Sequence, residues 1–369
     1  MDADTQTRLT AWFATQLPAA DHVRLEGLEV VEFGHSAETL LLTVVSTSGS
    51  TEHREAVVLR SRPVEPGLLP PYDLQRQFDV LRGLEGTAVR SPRALWYEPT
   101  GDVLGRDFFV MARLEGVVHD ERTLPDEIAS DPARVLRMTE EIVDQVAAIH
   151  NVDLQATGLD AIAEGRDHLD REMHRWTGLM REVQRGELPA LESLIAALKE
   201  RQPEPCPRIT LVHGDAKPGN FAFVGDEISA VFDWELATVG DPRSDLGWME
   251  LLWRAPMGLP ALPGALTIDE VVARWETLTG IRAEHREWHR AFQGLKTAVI
   301  MLSGSMLFDS GYSDDPRFEE MGFLVHWVTR RALRDLGLDP DIESGPVKAR
   351  QERVDAVHAL RAAVSATSG

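Results

Sequence analysis

Residues 211–245 read LVHGDAKPGNFAFVGDEISAVFDWELATVGDPRSD, and the reading of this stretch decides the fold. The apolar strand ITLVH (209–213) runs into Gly214-Asp215. Lys217 lies two residues beyond the acid and Asn220 five, and the strand ISAVFD (228–233) then ends on Asp233. Two carboxylates, an amide and an ammonium on one strand–loop–strand segment are the groups that phosphoryl transfer from Mg-ATP requires. One carboxylate takes the acceptor proton, hard oxygens bind the metal, and a cation faces the moving charge.

Composition bounds the rest. A chain of 369 residues is long enough for two lobes around a shared cleft. A hydrophobic fraction of 43% with 27% charged residues belongs to an ordinary water-soluble enzyme. No apolar run approaches the roughly 20 residues that span a bilayer, and the N-terminus lacks a basic-then-apolar leader, so no membrane partner is expected. Cys206 is the single cysteine, which excludes an intrachain disulfide and points to a reducing cytoplasmic location. A net charge of -22 argues against a nucleic-acid partner and fits a cationic small molecule. Lysine is scarce: only Lys199, Lys217, Lys296 and Lys348 occur, and one of the four falls inside the motif segment.

The pattern predicts a short helix over 5–17, then an antiparallel meander of three strands, LEVVEF (28–33), ETLLLTVVS (38–46) and EAVVLRS (55–61). A helix follows from Asp73 to Leu84, with strands over 94–97 and 106–114 and a hinge at Glu115-Gly116. Beyond 116 the chain reads as helices. Asp131-Pro132 opens one whose apolar stripe is Val135, Met138, Ile142, Val146 and Ile149. Others cover 167–184 and 188–201, a capping box at Thr267–Glu270 starts another that ends at Gly280, and Trp288 to Met306 is a long buried helix. Further helices are predicted over 315–335 and 346–366. The fold class is therefore α+β, with a small lobe (1–115) of five antiparallel strands plus one helix and a large, mainly helical lobe (116–369) that carries the loop and the acceptor site.

HGDAKPGN followed by FDWELATVGDPRSDLGW resembles the aminoglycoside phosphotransferase and choline kinase superfamily, relatives of protein kinases, and most closely its branch fused to acyl-CoA dehydrogenase-like domains. The resemblance covers about residues 25–335 and implies a bilobal protein-kinase-like fold and ATP-dependent phosphorylation of a small hydroxyl compound, such as an aminoglycoside or another amino sugar or amino alcohol. By position it implies Asp215 as catalytic base with Lys217 beside it, Asn220 and Asp233 as Mg²⁺ ligands, and Met111, Ala112 and Arg113 as the hinge that meets adenine. The residues themselves assign His213, Asp241 and Asp245 to support of the loop, Asp245 foremost, and leave Glu235 between metal, substrate and loop.

The small lobe departs from the family pattern. No lysine precedes Lys199, so Arg60 stands where a phosphate-binding lysine is usual, with Arg62 as runner-up. The partner acid is replaced by Gln77, for which Asp73 or Asp79 would substitute. The phosphate loop, FGHSAET (33–39), keeps Gly34, Ser36 and Thr39 but has Ala37 for the usual Asn. These departures make a nucleotide-binding pseudokinase the alternative. A metal-dependent hydrolase is disfavoured because the histidines show no ligand spacing. Glu172, Glu250 and Asp309 are candidate acids for a cationic acceptor.

Overall fold

The computed structural model describes residues 2–31, 38–63, 66–119, 124–163, 168–255 and 257–338. The predicted helix over 346–366 and loop residues Gly34, Ser36 and Ala37 lie outside that set.

The chain begins α1 (Ala3–Gln16), β1 (His22–Val31), β2 (Glu38–Ser48), β3 (Thr51–Ser61), α2 (Leu74–Leu84), β4 (Ala94–Glu98) and β5 (Phe108–Ala112). The five strands form one antiparallel sheet in the order β1-β2-β3-β5-β4, as the meander predicts. Side chains alternate across a strand, so β3 serves two faces. Val57 and Leu59 join Leu9 and Phe13 of α1 in one apolar cluster, and Val58 joins Phe78 and Leu81 of α2 in another. Arg60 shares the face of Val58 by the same alternation, which aims it at the cleft rather than at α1. Asp73 caps α2 by accepting the Arg76 amide at 2.9 Å.

Next come β6 (Val117–Val118), α3 (Asp126–Ala129), α4 (Pro132–His150), α5 (Leu154–Thr157), α6 (His168–Val183) and α7 (Pro189–Glu200). The motif segment supplies β7 (Thr210–Val212), β8 (Phe221–Val224), β9 (Glu227–Val231) and β10 (Thr238–Gly240). Then follow α8 (Arg243–Trp253), α9 (Ile268–Thr279), α10 (Arg286–Asp309) and α11 (Pro316–Asp335). β7 pairs with β10, while β6, β8 and β9 make a three-stranded sheet. The capping box at Thr267 and Glu270 is formed, and Gly280 ends α9 in the left-handed conformation.

The α4 stripe (Val135, Met138, Ile142, Val146 and Ile149) is buried in the same cluster as Val58, Phe78 and Phe109, so one core runs from the sheet into the helices. A second core joins α6, α7, α10 and α11. Residues 286–309 correct one reading of the sequence: α10 is long and apolar enough to cross a membrane, but 72% of its apolar window is buried inside the protein. It is the central helix of the second core.

Helices α8 and α10 touch at Gly247, where an added Cβ would lie 2.8 Å from the backbone carbon of His289. Backbone cannot swing aside as a side-chain tip can. Gly247→Ala is therefore expected to lower unfolding free energy by about 1–3 kcal/mol despite the better helix propensity of alanine. The change is read as a shift in urea midpoint.

Candidate active site

The loop after β7 is held by α8. Asp245, in the first turn of that helix, accepts the amides of His213 at 2.7 Å and Gly214 at 2.8 Å. His150 Nε2 lies 3.1 Å from the same carboxylate, and His150 Nδ1 accepts the Trp275 indole N–H at 2.8 Å. That indole bond leaves the imidazole proton on Nε2, so His150 donates to Asp245. Burial alone would raise the Asp245 pKa. The His150 hydrogen bond, with that of the His213 amide, outweighs it and holds the carboxyl below its usual value. Gly214 has φ 82°, and a Cβ there would fall 2.4 Å from the Leu236 carbonyl oxygen, so only glycine fits the turn.

Asp215 is buried at 7% exposure. Asn220 Nδ2 donates to its carbonyl at 2.8 Å and to Oδ2 at 3.0 Å, and Lys217 Nζ is 3.2 Å from Oδ2. The other oxygen, Oδ1, is buried with no hydrogen-bond partner. His213 has both ring nitrogens engaged: Nε2 donates to the Phe232 carbonyl at 2.8 Å, and Nδ1 accepts the Asp215 amide at 3.2 Å. It supports the loop and has no nitrogen left for proton transfer. Lys296 reaches in from α10 and donates to the Gly214 carbonyl.

Asp233 follows β9 with φ 64° and ψ 59°, a left-handed conformation that Asp tolerates better than most residues. Its Oδ1 is 3.1 Å from Arg60 Nη2, a contact across 173 residues of sequence. Burial would raise the Asp233 pKa, and the Arg60 and Lys217 charges reverse that and lower it. Arg60 Nε is buried without a partner. Arg60, Gln77, Phe109, Met111 and Asp233 line a cavity of about 10 Å³, room for one water molecule.

Several expectations change here. Among the described residues no hydrogen bond joins Arg60 to Gln77, although both line that cavity, and the acid beside Arg60 is Asp233. Asp73 is spent on its cap, and Asp79 accepts from Gln75 at 3.0 Å. Arg62, the runner-up, is held by Asp107 through bonds of 2.7 and 2.9 Å. The Ala112 and Arg113 amides donate to the carbonyls of Arg93 and Ala56, so a base at 111–113 would have to meet carbonyls, or the N–H of a later residue. Asp241, buried, accepts the Cys206 amide at 2.9 Å and pairs with Arg243. Glu235 lies in the short 3₁₀ turn Trp234–Leu236.

The acids nominated for a cationic acceptor are largely committed. Glu250 is fully buried and binds Arg286 at 2.6 Å and Arg290 at 2.8 Å. Glu172 accepts the Trp176 indole N–H at 3.0 Å beside Arg175. Asp309 is 3.4 Å from Ser305 Oγ. Lys296 and His150 escape the motif reading. The lysine scarcity that singles out Lys217 applies equally to Lys296.

No group of three or more His, Cys, Asp or Glu side chains is arranged as a metal cluster among the described residues. Asp233 and the Asn220 amide oxygen, which faces away once Nδ2 points at Asp215, instead offer a few hard oxygens. That set suits a Mg²⁺ whose remaining ligands are phosphates and water.

Residues 27–288 match the profile of the phosphotransferase enzyme family. Acyl-CoA dehydrogenase family member 11 of Rattus norvegicus is 30% identical over 268 residues, covering 71% of this chain; the aligned part spans only 33% of that relative's length. A solved Ralstonia eutropha protein, provisionally assigned as an aminoglycoside phosphotransferase, superposes with TM-score 0.73 at 23% identity over 90% of this chain and 98% of its own. Aminoglycoside phosphotransferase APH(4)-Ia, solved with AMP-PNP and hygromycin B, gives TM-score 0.53 at 17% identity, covering 91% of this chain and 100% of its own. The architecture is thus that of the protein-kinase-like phosphotransferases.

Asp233, Asp241 and Asp245 all have lowered pKa values. Each adds stability above the unfolded carboxylate pKa near 4 and loses it as pH falls through its lower folded value. Unfolding free energy should therefore drop steeply below about pH 4. Asp245→Asn should flatten that acid limb and lower the value at pH 7 by roughly 3 kcal/mol, read from urea titrations between about pH 3 and 7.

Proposed function

Because the chain belongs to the phosphotransferase enzyme family, we propose that it moves the γ-phosphoryl group of ATP, with Mg²⁺, to a hydroxyl of a small molecule. The observation that carries this reading is the Asp215 carboxylate. One oxygen is tied to Asn220 and Lys217, and the other is buried, unpaired and aimed by a fully bonded loop. Such an oxygen is ready to accept the proton of an acceptor alcohol. In this proposal Lys217 faces the transferring phosphate, Asn220 and Asp233 hold Mg²⁺, and Arg60 turns its unpaired Nε to a phosphate oxygen. When bound, Mg²⁺ supplies charge neutralisation between the phosphates. Adenine would meet the strand end at 111–113, between the units 1–115 and 116–369, and Gly34 and Ser36 are assigned to ATP by their sequence position alone. We place the reaction in the cytoplasm, where ATP is at hand and Cys206 stays reduced.

For the acceptor we propose a small hydroxyl compound. Amino sugars and amino alcohols belong to this class, but Glu250 and Glu172, the acids that would attract an ammonium, already serve internal partners. Hydroxyacyl compounds join the acceptors worth testing, since acyl-CoA stands in the relative's name. A second reading, a nucleotide-binding pseudokinase, rests on Gln77, which leaves Arg60 without its usual acid and paired to Asp233.

An ATP-consumption screen over aminoglycosides, choline-like alcohols, sugars and hydroxyacyl compounds tests the reading. Asp215→Asn should lower turnover by about 10²–10⁴-fold, the worth of a positioned base, and leave ATP affinity nearly unchanged. ATP binding without turnover on any alcohol, indifferent to Asp215→Asn, would establish the pseudokinase. In the same assay Arg60→Ala should weaken ATP binding by about tenfold or more, the scale of one charge-assisted hydrogen bond. Unchanged affinity would remove Arg60 from the phosphate site.

A further inference from the structure

We propose that Lys296 is a positioning residue for this reaction, its ammonium and the His213 ring clamping the two ends of the single peptide plane that joins Gly214 to Asp215. The inference rests on the phosphotransfer reading for its catalytic consequence and on the geometry alone for the clamp.

A peptide unit is rigid and planar, with its carbonyl oxygen and its N–H on opposite sides. Here the oxygen belongs to Gly214 and accepts from Lys296 Nζ, while the N–H belongs to Asp215 and donates to His213 Nδ1 at 3.2 Å. What is soft is the rotation of that plane about the flanking bonds, and Gly214, at φ 82°, is the residue least able to resist it. A flip would carry the Asp215 amide off His213 and re-aim Oδ1, the oxygen of this carboxylate that has no partner. Two bonds at opposite ends of one plane oppose that rotation. Either bond alone leaves a pivot.

Lys296 is itself held for the task. Its Nζ lies 5.3 Å from the ring centre of Trp176 and 4.9 Å from that of Trp248, and the residue is 3% exposed. Indole faces attract the ammonium. A buried ammonium is nevertheless expensive in the core of an apolar helix, where methionine or leucine would pack at no such cost. Burial lowers the Lys296 pKa, and the carboxylates of Glu172, Asp215 and Asp245 oppose that shift. A compact ammonium with three donors faces both indoles and still bonds the Gly214 carbonyl, in a chain whose other basic residues are nearly all arginine.

The test uses the full chain with Lys296→Met, Lys296→Gln, His213→Phe and the Met/Phe double variant. With the acceptor found by screening, Lys296→Met should lower kcat by about 100-fold, the effect of a small misplacement of a reacting group, with the KM for ATP changed by no more than about threefold. Lys296→Gln, which keeps an N–H donor, should recover part of the loss. Because both residues hold one plane, the double variant should fall little below the worse single, whereas independent structural damage would multiply. An acceptor-free measurement stands beside these: amide hydrogen exchange over 211–220 should quicken in Lys296→Met while strands β3 and β5 stay unchanged. Exchange over 211–220 equal to wild type, or kcat for Lys296→Met equal to wild type, overturns the clamp. A wild-type chain that phosphorylates no acceptor refutes the phosphotransfer reading instead, and the exchange result then decides the clamp alone.

Discussion

A single buried carboxylate, that of Asp245, carries the geometry of the candidate site. Its oxygens take the amides of His213 and Gly214 and the imidazole of His150, three donors that arrive from two separate parts of the chain. An ionised carboxylate in the interior is tolerable only when its lone pairs are filled, and here each bond that fills one also locks a neighbour. The Trp275 indole sets the His150 tautomer, His150 and Asp245 set the turn, and the turn sets Asp215. Remove the carboxyl group and two backbone amides are left buried without an acceptor.

The rest of the site is assembled by layers that have little else in common. Strand alternation in β3 delivers Arg60 to the cleft face, the left-handed backbone at Asp233 brings its carboxylate to meet it, and α10 reaches under the loop with Lys296. Because one apolar cluster runs from Val58 and Phe109 through Ile142 to Trp275, the sheet and helices that bear these groups are packed as one body rather than joined by a linker. The charged groups sit on the rim of that shared core. There the low polarity of their surroundings strengthens each ion pair and makes each unpaired atom expensive.

Much of this was legible in the sequence because it is local. The meander's alternation, the Asp131-Pro132 start of α4, the capping box at Thr267 and the spacing from His213 to Asn220 are all written within a few residues, and the structure forms them close to where they are read. What stayed hidden is long-range. Nothing near Arg60 says that its partner lies 173 residues away. Helix α8, dense with acids and tryptophans on all sides, shows no clear apolar stripe because it is buried nearly all round. Glu250 reads as an acid open to a ligand, since the arginines that neutralise it come from α10. Lys296 passes as one polar residue beside a buried stripe, and only contact with Gly214 gives it a meaning.

The two-residue strand β6 bears on how the cleft is built. Val117 and Val118 pair with Phe223 and Ala222 of β8, directly downstream of Asn220, and Gly116, at φ 144°, lies where a Cβ would come within 2.3 Å of Ser229 Oγ. The chain leaving β5 is thus pinned to the loop-bearing sheet almost as soon as it exits the five-stranded one, and only residues 113–116 lie between the two anchorages. The connection acts as a short brace, not a tether. Met111 near the end of β5 and Asn220 just before β8 are thereby tied to one short stretch of backbone, so main-chain pairing fixes the floor of the cleft.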